Sequence, residues 1–331
     1  MIQLVIIIAL ALTFDFINGF HDTANAIATA VSTRALRLRT AILIAAVMNF
    51  TGAVLFTGVA KTIATGVVDL NTVTNGTYVI MAAMISAIAW NLITWYFGIP
   101  SSSSHALIGS LAGAALADAG LSAVNFHGFI TIFASLIISP VIAIAVGFVV
   151  FTIIKKIVVR MSIYKANSGL RKFQIFTAAF QAFSHGSNDA QKSMGIITMA
   201  LVSFGVQNDM TVPHWVQLAC AVAMTLGTSI GGWRIIKTVG TQIMKLRPIN
   251  GVAADLSASL VIQIATHLNL PVSTTHVISS AIIGVGTAQR IKGVKWGTAR
   301  KMVIAWFITI PISILMSSGV FILVANIAQV I

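Results

Sequence analysis

The chain has 331 residues, 57% of them hydrophobic and only 8% charged, with a formal net charge of +13. Soluble globular domains carry about a quarter of their residues as charges, so this composition, with a mean hydropathy of +0.97, excludes a water-soluble enzyme and describes a polytopic membrane protein. The single cysteine, Cys220, excludes an intrachain disulfide and reads as a packing residue.

Most of the 20 basic residues fall in four groups: Arg34, Arg37 and Arg39; Lys155, Lys156, Arg160, Lys165, Arg171 and Lys172; Arg234, Lys237, Lys245 and Arg247; and Arg290, Lys292, Lys295, Arg300 and Lys301, with Lys61 ambiguous between the two sides. The positive-inside rule makes these loops cytoplasmic, which accounts for the charge without nucleic acid. Apolar runs of about 20 residues mark the crossings. Residues 1–34 run inward, 40–59 outward, 76–97 inward, 101–117 outward and 127–155 inward. The second half follows with 172–204 outward, 214–233 inward, 250–268 outward, 271–289 inward and 297–325 outward. Both termini are therefore expected outside. The N-terminal run has no basic region before it and reads as a retained segment rather than a signal peptide. Segments 1–34 and 172–204 are too long for one straight crossing, which predicts broken helices or re-entrant pieces, with Gly19 and Gly186 as the breaks. No polar stretch is long enough for a separate soluble domain.

Two words occur twice. "GFHDTAN" from Gly19 reappears as "GSNDAQK" from Gly186, and "PSSSSH" from Pro100 reappears as "PVSTTH" from Pro271. Their common order and near-constant separation indicate an internal repeat. The charge-derived orientations of the two copies are opposite, which predicts an all-α inverted repeat of residues 1–165 and 166–331, with broken helices and opposed helical hairpins. Sites in such architectures lie at the repeat interface near the midplane.

Asp22 and Asp189 are carboxylates at bilayer depth and need a partner. Alone, either would read as a helix cap. As a duplicated pair, with Asn25, Asn188 and neighbouring hydroxyls, they make a hard oxygen shell for a small cation. Ser102, Ser103 and Ser104, and likewise Ser273, Thr274 and Thr275, follow a proline where a helix begins. Hydroxyls and unpaired N–H groups at a helix start suit an anion. The residues assigned to the anion are Thr23, Ser102, Ser103, Ser104, Asn188, Ser273, Thr274, Thr275 and Gln181. Those assigned to the cation are Asp22, Asn25, Asp189, Asn188, Ser102, Ser273 and Asp255. Gln263 is a further polar candidate and Asp15 is expected at the interface. Lys192 stands where the first copy has Asn25, and either neutralises Asp189, meets an anion or snorkels. His21, His105, His185 and His276 lack the spacing of a zinc or haem site. His105 and His276 are expected to make local hydrogen bonds.

On these words the chain resembles the inorganic phosphate transporter (PiT) family along essentially its whole length. His21 and Lys192 are similar to the bacterial branch, whereas many eukaryotic members carry Asn at the first position. The resemblance implies a secondary transporter in the inner (plasma) membrane that carries inorganic phosphate with cations, commonly as a homodimer and without a cofactor. Sodium symport is the leading expectation, with two sodium ions neutralising a dianion. Proton coupling and metal-phosphate coupling also occur in the family, and the residues leave the coupling ion open. A sulfate permease would share every feature, because sulfate and hydrogen phosphate are both tetrahedral dianions. Only phosphate keeps a proton to donate to a carboxylate. An intramembrane Ser/His hydrolase is the remaining alternative, and it would require a nucleophile and base within hydrogen-bond reach.

Overall fold

The protein is described by a computed structural model covering residues 1–69, 72–231 and 233–330, without the side chains of 233, 234 and 328–330. Arg234, of the third basic group, thus lies outside the described side chains. The described residues form an all-α bundle. A single 31-residue helix, α1 (Ile2–Ser32), is followed by α2 (Leu38–Ala53) and α3 (Gly58–Gly66), which are bent by 71° at their junction. Helices α4 (Gly76–Phe97) and α5 (Ser103–Ala119) form a hairpin that leads into the long α6 (Phe126–Val158). Next, α7 (Ile163–Asp189) and α8 (Gln191–Ser203) meet at Ala190. A second bent pair follows, at 72°: α9 (His214–Ile230) and α10 (Trp233–Lys237), the latter prolonged by a π-helical turn at Thr238–Gln242. A second hairpin, α11 (Pro248–His267) and α12 (Thr274–Arg290), leads into α13 (Trp296–Val330).

Among the described residues, six helices are long and apolar enough to cross a bilayer, or eight if each bent pair is one span. The ten runs expected from hydropathy are therefore not ten straight crossings. In particular, the turn between α4 and α5 is not at a membrane surface: Pro100 and Ser101 to Ser104 are buried, and Ser103 reaches Asp22 in the middle of α1. Unwound backbone is tolerated at that depth because protein covers it.

The expected breaks at Gly19 and Gly186 do not occur, since Gly19 lies inside α1 and Gly186 inside α7. Both glycines permit close helix approach. A Cβ at Gly19 would strike the Met224 carbonyl of α9, and one at Gly186 would strike the Asn49 carbonyl of α2. The chain bends instead at 54–57 and between α9 and α10, where Gly231 has φ +78°. The small-residue stretch of α5 likewise packs closely, with Gly113 against the backbone of Ile314 in α13.

Long helices α6 and α13 carry Pro140 and Pro311 in their interiors and turn residues such as Ile138, Val141, Phe148, Phe307 and Leu315 outward. Such a contiguous apolar exterior is a lipid-facing surface. Inside, two apolar cores lie side by side. One gathers Leu4, Ile7, Ala11 and Phe14 of α1 with α3, α4, α5, α8 and α9. The other gathers Ala24, Ile27 and Ala28 of α1 with α2, α6, α7, α10, α11 and α12. Helix α1 passes from one core to the other, and the polar residues between Phe14 and Ala24 occupy the seam.

Candidate functional site

A stripe of polar side chains at helical spacing runs along α1: Asp15, Asn18, Asp22, Asn25 and Thr29, each no more than 2% exposed. A second stripe on α7 and α8 faces it, with Gln174, Thr177, Gln181, His185, Asn188, Asp189 and Lys192 all fully buried. Asp22 and Asp189 are at the centre.

Asp22 Oδ1 lies 2.6 Å from His21 Nδ1 and accepts from Thr275 Oγ1 at 3.3 Å, while its Oδ2 accepts from Ser103 Oγ at 3.4 Å. Around Asp189 the donors converge on one oxygen. Its Oδ2 receives Lys192 Nζ at 2.9 Å, Thr274 Oγ1 at 3.2 Å and Asn18 Nδ2 at 3.4 Å, with His185 Nε2 at 3.5 Å. Its Oδ1 has no donor, and neither do Asn18 Oδ1 and Asn25 Oδ1. Asn25 Nδ2 donates to Thr275 Oγ1 at 2.8 Å. Asp22, His185 and Asp189 can each point one ligand atom into a common space, all within 4.8 Å of one another.

Both hydroxyl words start helices here. Ser102 and Ser273 are the N-caps of α5 and α12, accepting from the backbone N–H of His105 at 3.1 Å and of His276 at 3.3 Å. The two helix starts touch: Ser104 Oγ donates to the Val272 carbonyl at 2.9 Å, and the rings of His105 and His276 lie 4.5 Å apart. Of the hydroxyls expected at the site, Ser103, Thr274 and Thr275 reach the two carboxylates. The Ser104 hydroxyl is held by the neighbouring turn, and those of Ser102 and Ser273 by their capping bonds.

Other expected residues are placed elsewhere. Thr23 turns toward α9, donating to the carbonyls of Gly19 at 2.6 Å and Thr228 at 3.3 Å. Asn188 holds the turn before α12, donating to Thr266 Oγ1 and the Leu270 carbonyl while accepting from Val272 N–H. Gln181 accepts from Ser259 Oγ at 2.8 Å, and Gln263 donates to Ser187 Oγ at 2.8 Å. Asp255 forms a separate buried centre with Thr29 Oγ1 at 2.5 Å and Thr177 Oγ1 at 3.4 Å. Asp15, expected at the interface, is fully buried next to Ser193 and Cys220, because α1 has apolar neighbours along its N-terminal half as well.

His105 makes the local bond expected of it, with Nδ1 2.8 Å from Ser102 Oγ, and His276 stacks on Trp306 at 4.0 Å. That Ser102–His105 pair is within hydrogen-bond reach, and the same hydroxyl accepts from the His105 backbone N–H, so both bonds belong to one local helix cap. Asn18 and His185 were not singled out as ligands from the sequence. The available signal was their position one helical turn before each Asp, on the same face.

Paired buried carboxylates facing two hydroxyl-lined helix starts, at the seam of a lipid-exposed helical bundle, define a multi-pass membrane transport protein. The sequence matches the Phosphate transporter family over residues 18–317, and the chain belongs to that family. It is 60% identical, over 95% of its own length and 94% of the relative's, to a probable low-affinity inorganic phosphate transporter of Bacillus subtilis (strain 168). A second such protein, from Rhizobium meliloti (strain 1021), is 46% identical over 95% of this chain and 94% of its own. The fold is similar to a solved structure described as the sodium-dependent phosphate transporter, with a TM-score of 0.91, 27% identity, and coverage of 99% of this chain and 100% of that one. These relatives are transport proteins, and the chain is a transporter rather than an enzyme.

Proposed function

We propose that the protein is a sodium-coupled symporter of inorganic phosphate in the plasma membrane, with the cation between Asp22 and Asp189 and phosphate at the starts of α5 and α12. The observation that carries this reading is the set of buried acceptor oxygens without donors, Asp189 Oδ1, Asn18 Oδ1 and Asn25 Oδ1, gathered around two carboxylates. Oxygen acceptors without donors at bilayer depth suit a hard cation. The first N–H groups of α5 and α12 have no acceptor within their own helices and offer an anion donors; the hydroxyls of Ser103, Thr274 and Thr275, which donate to the carboxylates here, add to them when a cation takes over those carboxylates. A cavity of ≈ 850 Å³ lined by Tyr96, Pro100, Ser101, Lys237 and Lys301 supports an approach to this centre from the end carrying the basic loops. The carboxylates are acceptors for the proton of hydrogen phosphate, which favours phosphate over sulfate.

Labelled phosphate uptake into proteoliposomes is expected to require sodium and to resist competition by sulfate. Full uptake with choline in place of sodium would remove the sodium reading. One observation favours a second reading: Asp22, His185 and Asp189 also form a three-ligand set for a divalent cation, and uptake that a chelator abolishes while sodium is irrelevant would select it.

We also propose that residues 1–165 and 166–331 are inverted repeats. Each half supplies a site helix, a pair bent by about the same angle (71° and 72°), a hairpin and a long helix with an internal proline. In this arrangement both termini face outward. Cysteines introduced at positions 1–3 are expected to react with an impermeant maleimide in intact cells. Protection there until the cells are lysed would reverse the orientation.

A further inference from the structure

The two stripes differ in charge three residues after their paired aspartates. Three residues after Asp22 stands Asn25, whose amide oxygen has no donor. Three residues after Asp189 stands Lys192, fully buried, with its ammonium 2.9 Å from Asp189 Oδ2 and 3.5 Å from Ser103 Oγ. A lysine with a route to the membrane surface would extend its stem and hydrate its head. This one spends its length reaching back to the centre, where a charge is tolerated only if paired.

Charge counting gives the consequence. The charge of phosphate and the His21 ring beside Asp22 are common to both cases, with and without Lys192, so what residue 192 changes is the number of negative charges left for cations. The ammonium on Asp189 Oδ2 lowers that number by one. The atom left without a donor on that carboxylate is Oδ1, and a carboxylate oxygen of Asp189 lies within 4.8 Å of ligand atoms of Asp22 and His185. A second free cation on Oδ2 would have to share it with the ammonium, against the repulsion of like charges in a low dielectric.

We propose that Lys192 is a tethered cation: its ammonium permanently takes the place of one coupling ion at Asp189, leaving one exchangeable cation per phosphate in the gap between Asp22 and Asp189. The tethered charge stays with the carrier through the cycle and is never delivered, so residue 192 sets the coupling stoichiometry. This rests on the sodium reading above.

The test compares wild type with Lys192→Asn, which restores the residue type of position 25, in proteoliposomes loaded with labelled sodium and phosphate. The variant is expected to move one more sodium per phosphate than wild type, and the Hill coefficient for sodium is expected to rise from about 1 to about 2. Sodium-induced thermal stabilisation in detergent gives a second readout that does not need transport. Wild type should follow a hyperbolic sodium dependence, whereas the variant should melt lower without sodium and recover along a steeper curve. Sodium-dependent behaviour with the same ratio and steepness in both proteins would overturn the tethered cation while leaving sodium coupling intact. Wild-type uptake and melting that are both indifferent to sodium would overturn the underlying reading and this proposal together.

Discussion

Asp22→Asn is expected to lower the initial rate of phosphate uptake by about 100-fold or more while leaving the amount of folded protein in the membrane close to wild type. Moving a dianion alone into a low dielectric costs tens of kcal/mol, so the cation that accompanies it must be held by a charge the protein supplies. Asp22 supplies that charge, with His21, Ser103 and Thr275 around it, whereas Asp189 already holds the Lys192 ammonium. An amide keeps the shape: its oxygen can still accept on one side, and its NH2 can donate to the Ser103 hydroxyl on the other, so little folding stability is lost. What disappears is a charge-to-charge interaction, worth about 3 kcal/mol or more in a buried site, or about two powers of ten. Sodium dependence should weaken with the rate, because the same carboxylate serves both. The measurement is uptake normalised to protein in the vesicle. An Asp22→Asn protein that retained wild-type uptake and an unchanged sodium requirement would make Asp22 structural and move the search to Asp255.

Asp189→Asn is expected to behave differently, although sequence places it in the same role. Here the carboxylate is also the counter-ion of a fully buried ammonium. Removing one member of a buried ion pair leaves an uncompensated charge and costs about 3–5 kcal/mol. The single variant should therefore melt well below wild type in detergent and reach the membrane in reduced amount. Adding Lys192→Gln removes the orphaned charge, and the double variant is expected to recover most of the lost thermal stability without recovering transport. Equal melting temperatures for wild type and Asp189→Asn would show that Lys192 finds adequate compensation elsewhere, Ser103 Oγ at 3.5 Å being one further contact.

Much of this site was legible in the sequence because helical spacing is a local property. Asp22 and Asn25 share a face whatever surrounds them, and the Pro-hydroxyl words start helices because proline and serine do so on their own chemistry. The partners were not legible. Thr23 is one residue from Asp22 and was grouped with it, but one residue on a helix is a rotation of about 100°, and the hydroxyl faces α9 instead. Asn188 sits in the same relation to Asp189 and is committed to the turn before α12. The glycines misled for a similar reason, since glycine both breaks helices and lets them touch, and only the neighbouring helix distinguishes the two.

The sequence by itself determined a multi-pass membrane protein, from charges too few for water, and it carries two words repeated in the same order along the chain. It also determined which residue types were available to hold ions. These follow from composition and from intervals along one chain, which no folding alters. The tertiary structure decided that α1 runs unbroken between two apolar cores, that the bends fall in α2–α3 and α9–α10, and that Asp15 is buried. It also decided that Lys192 pairs with Asp189 while Asn25 keeps an oxygen free. Which side chain lies opposite a buried charge depends on helices distant in sequence, and in a low dielectric that choice fixes whether the charge binds an ion or a neighbour.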